Sequence, residues 1–411
     1  MRLLHTSDWH LGRSFHRVGL LSAQAAVLES LVEVVRAERV DAVVVAGDVY
    51  DRALPGVDAV QVLDDALARL LATGASVLVT SGNHDSASRL GFGGRAMAGA
   101  GLHLRTRLGD LDAPVLLEDA HGPVALYGVP YLEPALAAEP LGTARTHAGV
   151  LGAALDRVRA DLATRPTGTR SVVAAHAFVT AGAPGDPGAE PERSDSERSI
   201  SVGGVESVPV GAFAGLDYTA LGHLHGRQRL AEHVRYCGSP LAYSFSEAGH
   251  VKGSWLVELG AQGVERVDLV PAPVPRALAR LRGDLADLLG DAAHAGAETA
   301  WCQVVLTDPV RPREPMEALR ARFPHVLSLS FEPRGAGAAA VGYAERVRGL
   351  DDEGLCCSFV EHVRGLAPDE AERALLARAV EAGRVSTEAA QDLTVELPRD
   401  PAPVVEPAVA R

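Results

Sequence analysis

The chain has 411 residues, of which 47% are hydrophobic and 22% are charged, and its formal net charge is −14. This length suggests two or three domains with substantial cores, and no apolar run reaches the ~18 residues of a membrane-spanning helix. The acidic balance argues against a simple polyanion-binding protein. Four cysteines without a CxxC pair argue against a disulfide framework, and the only lysine, Lys252, precedes Gly253, which excludes a P-loop ATPase.

Strands and helices alternate through the first 80 residues. The apolar spacing predicts strands at Arg2–Thr6, 41–46 and 75–80, separated by helices over 25–39 and 57–72. Further strands are predicted at 124–129, 171–175, 218–221, 233–237 and 254–258. This alternation predicts an α/β domain over 1–270 with an at least partly parallel sheet.

The remainder of the chain divides into shorter segments. Residues 182–204 are rich in Gly, Pro, Ser and acidic residues, which predicts a long surface loop, and the Pro-rich run 271–275 predicts a linker. A small α/β unit is expected over 271–340, from a helix at 276–289, a strand at 299–307, a helix at 315–323 and a strand at 326–333. A helical segment over 341–397 and a disordered tail over 398–411 follow.

Polar side chains able to bind metal ions follow the predicted strands at their carboxyl ends. These residues are Asp8 and His10, Asp48, the run Asn83, His84 and Asp85, then His176, and finally His223 and His225. Ligands bind open α/β sheets at this edge, and the set is too large for one cation and about right for two. Asp48, alone on its strand end, is the natural bridging carboxylate. The mixed carboxylate, amide and imidazole set favours an ion such as Mn²⁺.

Each motif alone has an ordinary structural explanation. An Asp-x-His sequence is often a helix cap, and Gly-Asn-His-Asp is typical of a turn. Their succession at strand ends is what favours a metal centre. His5, inside the first strand, is interpreted as a core residue. The run 91–96, Gly-Phe-Gly-Gly-Arg-Ala, imitates a dinucleotide fingerprint but follows a loop rather than a strand, so we interpret it as a connection.

These motifs, together with the stretch 238–247, resemble the SbcD nuclease subunits of the calcineurin-like metallophosphoesterase superfamily. The resemblance implies a four-layer α/β sandwich, a small α/β capping domain and a C-terminal helical partner-binding segment. It also implies two divalent ions, Mn²⁺ in preference to Mg²⁺: one held by Asp8, His10, Asp48 and His225, the other by Asp48, Asn83, His176 and His223. His84 would stabilise the transition state and protonate the leaving oxygen, and Asp85 would orient its neighbours. The roles of Asp51 and Arg52 stay open.

The same resemblance implies a Mn²⁺-dependent DNA nuclease of repair, recombination and replication. It would act as a 3′→5′ exonuclease on double-stranded ends and as an endonuclease on hairpins or blocked ends. The expected partner is SbcC, an SMC-like ATPase, in a heterotetramer built on a homodimer. Because the first motif begins at Asp8, no signal peptide is expected, and we expect a cytoplasmic protein that is nucleoid-associated when bound to DNA.

Two groups of residues are candidates for contacts with these partners. An apolar helical stripe inside the acidic C-terminal segment is the candidate SbcC-binding surface, and it consists of Leu355, Phe359, Val363, Leu366 and Leu375. The candidate phosphate contacts are Arg13, Arg17, Arg52 and Arg89. The alternatives are a stripe that packs on its own domain and arginines that are merely solvated.

Two other functions share these motifs. One is a metallophosphoesterase acting on small phosphodiesters, nucleotides or phosphoproteins, against which the C-terminal 140 residues argue. The other is a non-catalytic DNA-end scaffold, against which the complete set of expected ligands argues.

Overall fold

The computed structural model describes residues 1–182, 194–198, 207–334 and 350–391. Its helices are Leu21–Ala37, Val57–Leu71, Ala87–Leu90, Gly94–Met97, Pro134–Leu141, His147–Leu162, Asp195–Arg198, Leu285–Gly290, Pro315–Arg322, Asp352–Arg364 and Glu370–Gln391. Short 3-10 turns lie at Ala98–Ala100, Leu108–Asp110, Val210–Phe213, Phe245–Glu247 and Ala292–Ala297. Among the helices so described, none is long and apolar enough to span a membrane.

The first sheet has six strands, in the order Gly263–Pro271, Gly253–Gly260, Arg2–Thr6, Ala42–Ala46, Ser76–Thr80 and Leu102–Arg105. The last four are parallel, and the first two join them as antiparallel strands. Continuous apolar runs such as Ala42–Ala46 are buried throughout, as expected for parallel strands covered on both faces. The parallel α/β character predicted from the sequence is confirmed.

The second sheet also has six strands, in the order Gln228–Arg229, Val234–Tyr236, Tyr218–Gly222, Arg170–His176, Gly122–Val129 and Val115–Asp119. Its four central strands are parallel and its two edge strands are antiparallel. Two-residue hairpin strands occur at Ser14–Phe15 with Val18–Gly19, and a parallel pair at Val179–Thr180 with Val208–Pro209. The sequence prediction missed the helices Pro134–Leu141 and His147–Leu162 that follow this sheet's strand Gly122–Val129.

Side chains alternate between the two faces of each sheet, and this alternation sets the layers. In the first sheet, Leu3, Val44 and Leu78 enter a core shared with residues of the second sheet, such as Leu126 and Val172. Their neighbours Leu4, Val43 and Val77 enter a separate core with the helices Leu21–Ala37 and Val57–Leu71. A third core joins the second sheet to the helix His147–Leu162. The result is the expected four-layer arrangement of helices, sheet, sheet and helices.

A third sheet has three strands, Leu278–Gly283, Trp301–Leu306 and Val326–Phe331 in that order. The helix predicted over 276–289 is therefore wrong: residues 278–283 form a strand, and only Leu285–Gly290 is helical. Sheet pairing overrides the helical propensity of the Ala, Leu and Arg residues in this stretch. Backbone hydrogen bonds from Trp301 N to Ala277 O and from Thr307 N to Gly283 O belong to that pairing.

The chain divides into two compact units. The first comprises Met1–Leu281, Ala292–Gln303 and Arg322–Ser328, and the second comprises Arg282–Asp291, Val304–Ala321 and Leu329–Arg411. Within the second unit, the predicted helix pair forms over Asp352–Arg364 and Glu370–Gln391. Asp369 Oδ1 accepts the Glu372 N–H, and Glu372 Oε2 accepts the Asp369 N–H, a reciprocal cap that begins the second helix.

Some sequence predictions lie outside the described residues: most of the 182–204 loop, residues 341–349 and 392–397 of the helical segment, and the 398–411 tail. Within the loop, the described residues Asp195–Arg198 form a helical turn rather than irregular structure. Glu197 on this turn is buried, and its carboxylate accepts the backbone N–H of His225.

Candidate metal centre

The carboxyl ends of neighbouring strands bring the predicted ligands together. Asp8 and His10 follow Arg2–Thr6, Asp48 follows Ala42–Ala46, and Asn83 follows Ser76–Thr80. In the second sheet, His176 ends its strand, while His223 and His225 follow Tyr218–Gly222. The loops interlock, because Asp8 N–H donates to Gly47 O at 3.0 Å and His223 N–H donates to Asp8 Oδ1 at 3.0 Å.

One group of donors combines Asp8, His10 and His225, whose ligand atoms all lie within 4.8 Å of one another. His10 Nε2 is 3.1 Å from His225 Nε2 and 3.6 Å from Asp48 Oδ2. All four side chains are buried. Two imidazole nitrogens directed at the same point beside carboxylates make a donor set suited to a divalent cation.

A second group combines Asp8, Asp48 and His176, again within 4.8 Å. His176 Nε2 lies 3.5 Å from Asp48 Oδ2 and 3.0 Å from Asn83 Oδ1. His223 Nδ1 lies 3.1 Å from the same Asn83 oxygen. Asp48 thus borders both groups, which is the position expected for a bridging carboxylate.

The hydrogen bonds of His176 test whether these residues fit a cation. Its Nδ1 lies 2.8 Å from Ala46 O, which can only accept, so Nδ1 carries a proton. In a neutral ring, Nε2 then carries no proton, and its lone pair faces the lone pairs of Asn83 Oδ1. Two acceptors face each other at 3.0 Å, and a cation bound between them would satisfy both. The residues therefore fit a divalent ion.

The pKa directions follow the same electrostatics. Burial raises the pKa of Asp8 to about 6. Burial alone would lower the pKa of His176, but the charges of Asp48 and Asp8 raise it to about 9. Burial lowers the pKa of His223 to about 3, with a further contribution from His176. Carboxylates that favour a proton on His176 equally favour a metal cation in its place.

The local backbone is unusual for residues with side chains. Positive φ angles occur at Asp8 (53°), His10 (45°), Asp48 (49°) and His223 (109°). Such angles are uncommon outside glycine and are retained where surrounding structure over-determines them, often at functional sites. The glycines Gly82 and Gly222 allow close approach: a Cβ would clash with Asp48 at the first and with the Ala46 carbonyl at the second.

His84 stands beside the ligands with one nitrogen held and the other available. Its Nδ1 lies 2.9 Å from Asp51 O, and its backbone N–H donates to Asp48 Oδ1 at 2.9 Å. Nε2 is buried and has no hydrogen-bond partner among the described residues. The ring packs edge-on against His10, with centroids 4.7 Å apart, and His84, His10 and Asp48 offer ligand atoms within 4.8 Å of one another. This arrangement suits a group that exchanges a proton with a substrate.

Asp85 orders the loops rather than entering the donor groups. Its carboxylate accepts backbone N–H groups from Val49, Tyr50 and Gly82 at 3.1, 2.9 and 2.9 Å. It therefore joins the loop that carries Asp48 to the loop that carries His84. Asp51, whose role the sequence left open, supports His84 through its carbonyl, and its Oδ1 lies 3.7 Å from His10 Nδ1.

Sequence reasoning missed the residues that support His225. Glu247 is buried, and its Oε1 lies 3.5 Å from His225 Nδ1. Lys252, the only lysine, donates to Glu247 Oε2 at 2.5 Å and to His225 O at 2.8 Å. Burial alone would raise the pKa of Glu247, but His225 and Lys252 lower it to about 2, so the carboxylate is charged. The lysine's uniqueness was the available signal, together with the 238–247 stretch.

Gln24, together with Tyr243 of the same 238–247 stretch, supports His10. Gln24 Nε2 donates to the backbone oxygens of Trp9 and His10 at 3.0 and 2.7 Å, and to Tyr243 Oη at 3.1 Å. Gln24 therefore holds the backbone of the first metal-binding motif from the helix Leu21–Ala37.

His5 lies in the core, as predicted. Its Nδ1 is 3.0 Å from Tyr218 Oη and its Nε2 is 3.1 Å from Leu221 O. Both ring nitrogens thus have partners within the sheets, and neither is directed at the donor groups.

The candidate phosphate-contacting arginines have different surroundings. Arg13 is largely buried, pairs with Asp51 at 3.3 Å and covers the Tyr243 ring at 5.0 Å. Arg17 and Arg89 are exposed, and Arg89 donates to Ala53 O at 3.3 Å. Arg52 has a 79% exposed side chain that lies 3.7 Å from Asp51. Arg17, Arg52 and Arg89 are thus accessible, whereas Arg13 has structural contacts.

The predicted partner-binding stripe is exposed along its length. Phe359 is 57% exposed, and the others range from 36% to 64%: Leu355, Val363, Leu366 and Leu375.

Residues 1–136 match the family model described as calcineurin-like phosphoesterase. Residues 274–364 match the SbcD_C model, described as the type 5 capsule protein repressor C-terminal domain. The chain belongs to the SbcD-type calcineurin-like metallophosphoesterases. SbcD-type membership and the donor groups together support a nuclease of this type that binds divalent metal ions.

Two solved structures are similar to this SbcD-type chain. The protein TT1561 of Thermus thermophilus is 13% identical, with a TM-score of 0.37 over 65% of this chain and 98% of that chain. A dimetal phosphatase from Danio rerio is 15% identical, with a TM-score of 0.34 over 66% and 98% respectively.

Proposed function

We propose that this protein is the Mn²⁺-dependent nuclease subunit of an SbcC–SbcD complex. It would degrade double-stranded DNA ends as a 3′→5′ exonuclease and open hairpins or blocked ends as an endonuclease, in repair, recombination and replication. One observation carries the proposal: the chain that holds two adjoining donor groups also carries the SbcD-type C-terminal domain. A phosphoesterase for small diesters needs no such domain.

The residues would divide the work as follows. Asp8, His10, Asp48 and His225 would hold one ion, and Asp48, Asn83, His176 and His223 the other. When bound, the pair supplies charge for the phosphodiester and activates water near neutral pH. His84 would donate a hydrogen bond from Nε2 to the scissile phosphate and then pass that proton to the leaving oxygen. The Asp51 carbonyl orients His84 for this step, because it fixes the ring through Nδ1.

The accessible Arg17, Arg52 and Arg89 would contact backbone phosphates and position the duplex without reading its sequence. The exposed apolar stripe from Leu355 to Leu375 would dock on SbcC by laying its face against a helical partner. A homodimer of this chain with two SbcC subunits is the proposed assembly.

Cleavage of an end-labelled hairpin duplex in Mn²⁺, with and without SbcC and ATP, tests the activity. We expect cleavage that SbcC and ATP stimulate and that Asp48→Ala and His84→Ala abolish. A chromogenic small phosphodiester serves as a parallel substrate. Turnover of the small diester alone, with no DNA cleavage under any partner condition, would contradict the nuclease and favour a small-molecule phosphodiesterase.

Co-purification with SbcC tests the docking surface. Phe359→Asp with Val363→Asp should abolish complex formation, because two charges would be buried at the interface without partners. Leu136→Asp is the matched control, since Leu136 is an exposed leucine of the first unit (75% exposed) and lies outside the stripe. Undiminished SbcC capture by the Phe359 and Val363 variant would refute the docking role.

A further inference from the structure

A cavity of about 580 Å³ lies in the first unit, where the edge strand Leu102–Arg105 meets the run 91–96. Its lining includes Phe92, Arg95, Arg105, Arg107 and Asp110. We call it the arginine cavity. The glycine run that imitates a dinucleotide fingerprint thus forms part of its wall, and Gly93 adopts a φ of 75° there, which favours glycine.

The arginine cavity concentrates positive charge in an acidic chain. Among the described residues, none of its three arginines lies within 4.0 Å of a carboxylate, whereas Arg157 and Arg170 pair with aspartates. Asp110 is the acidic residue of the lining, and its carboxylate accepts the Arg107 backbone N–H at 3.2 Å. In a protein of net charge −14, a group of guanidinium groups without carboxylate partners among the described residues favours a ligand with several negative charges.

An exposed aromatic ring borders the same space. Phe92 lines the arginine cavity and is 80% exposed, although folding normally buries such a side chain. A positively charged groove with an accessible aromatic ring is the usual combination in sites for single-stranded nucleic acid, since bases stack on the ring while phosphates meet the arginines. The bases of an intact duplex are stacked on one another and would not reach Phe92.

The topology places the arginine cavity beside the metal centre. Leu102–Arg105 is parallel to Ser76–Thr80, with Arg105 opposite Thr80. Neighbouring strands lie about 4.8 Å apart. Asn83 and His84 follow the carboxyl end of one strand, while Arg105 and Arg107 lie at the carboxyl end of the next. A DNA strand that leaves the metal centre along this edge of the sheet therefore meets the cavity.

We propose that the arginine cavity binds an unpaired stretch of DNA, with backbone phosphates on Arg95 and Arg107 and a base stacked on Phe92. This inference rests on the proposed nuclease function. It adds a subsite that holds a separated strand next to the centre, which is the form of DNA produced when an end frays or a hairpin is opened.

Fluorescence anisotropy with a labelled oligothymidine and a blunt duplex of equal length tests the inference. The full-length protein is used in a His84→Ala background, which suppresses cleavage. Arg95→Gln with Arg107→Gln should raise the Kd for oligothymidine about tenfold. It should also reduce the salt slope, the slope of log affinity against log salt concentration, by about one to two. Arg105 is left intact, because its Nε donates to Ala113 O at 2.9 Å and its loss would disturb the fold.

Phe92→Ala should raise the oligothymidine Kd at least about fivefold and leave the duplex Kd unchanged. Arg95→Lys with Arg107→Lys should retain the wild-type salt slope. Arg145→Gln is the matched control, since Arg145 is an exposed arginine of the same unit outside the cavity. Unchanged oligothymidine binding in the glutamine variant, or equal weakening for duplex and single strand, would overturn the inference.

Failure of the proposed function has a different signature. In that case the His84→Ala protein with its native arginine cavity would bind neither the oligothymidine nor the duplex. The wild-type enzyme would hydrolyse only the small diester. Both the proposed function and the inference would then be wrong. If the wild-type enzyme cleaves DNA but the cavity substitutions leave the oligothymidine Kd unchanged, only the inference is overturned.

Discussion

His84 Nδ1 lies 2.9 Å from the backbone carbonyl oxygen of Asp51. Since a carbonyl only accepts, this contact keeps a proton on Nδ1 and directs Nε2, which has no partner among the described residues, to the donor groups. A histidine held in this way can donate from Nε2 whenever its ring is protonated.

The first prediction concerns proton donation by His84. His84→Gln should lower kcat for DNA cleavage about 10²- to 10⁴-fold and leave Mn²⁺ affinity within about twofold. The kcat for a diester with a p-nitrophenolate leaving group should fall much less, because that group departs without a proton. Measured kcat values for both substrates, with calorimetric Mn²⁺ titration, decide the matter. Equal losses on both substrates would contradict leaving-group protonation.

The second prediction concerns the pH dependence of metal binding. His176 has its pKa raised to about 9, so below that pH a cation must displace a proton from it. Mn²⁺ affinity should therefore rise about tenfold per pH unit between pH 6 and 8, with release of about one proton or more per ion. Calorimetry in buffers of different ionisation enthalpy measures that release. A flat affinity over this range, with no proton released, would contradict the displacement of a proton from His176 by the cation.

The third prediction separates the two roles of Glu247. Glu247→Gln should lower Mn²⁺ affinity about 10- to 100-fold, because His225 loses the carboxylate that orients it. It should also lower the free energy of unfolding by about 3–5 kcal/mol, because Lys252 is left buried without a counter-charge. Glu247→Gln with Lys252→Met should recover stability but not metal affinity.

Urea unfolding and calorimetry give the two readouts for these variants. Glu258→Gln is the control, since Glu258 pairs with Arg2 through a partly exposed ion pair. Recovery of metal affinity in the double variant would mean that Glu247 acts on the fold alone.

The fourth prediction concerns acid stability. Burial lowers the pKa of His5 to about 3, against its ordinary value of 6.5, so the unfolded chain binds the proton more readily than the folded chain. The stability from neutral His5 is complete above pH 6.5 and is lost as the pH falls toward 3, by about 1.4 kcal/mol per pH unit. His5→Gln removes this titration. The difference in unfolding free energy between wild type and variant should therefore shrink on acidification.

Urea unfolding of both proteins in chelator between pH 7 and 4 measures that difference. A difference that stays constant across the range would show that His5 is not held neutral in the folded state.

The sequence was sufficient to predict which residues meet at the candidate metal centre. Asp8, Asp48 and Asn83 follow consecutive apolar strands, and parallel strands place their carboxyl ends at one edge of a sheet. Strand periodicity likewise determined which residues form the cores, because alternate side chains such as Leu3 and Leu4 point to opposite faces. Both patterns depend only on residues that are close together in the sequence, so they can be recognised in the sequence of a single chain.

Tertiary structure alone decided the remainder. Residues 278–283 have helical propensity, but pairing with Trp301–Leu306 makes them a strand, and that partner is distant in sequence. Glu247 and Lys252 carry no motif by themselves, and only the fold brings their charges to His225. The fold likewise brings the glycine run 91–96 next to the edge strand Leu102–Arg105, and the two together line the arginine cavity. Electrostatic and packing contacts depend on distance in space, which a linear order of residues does not contain.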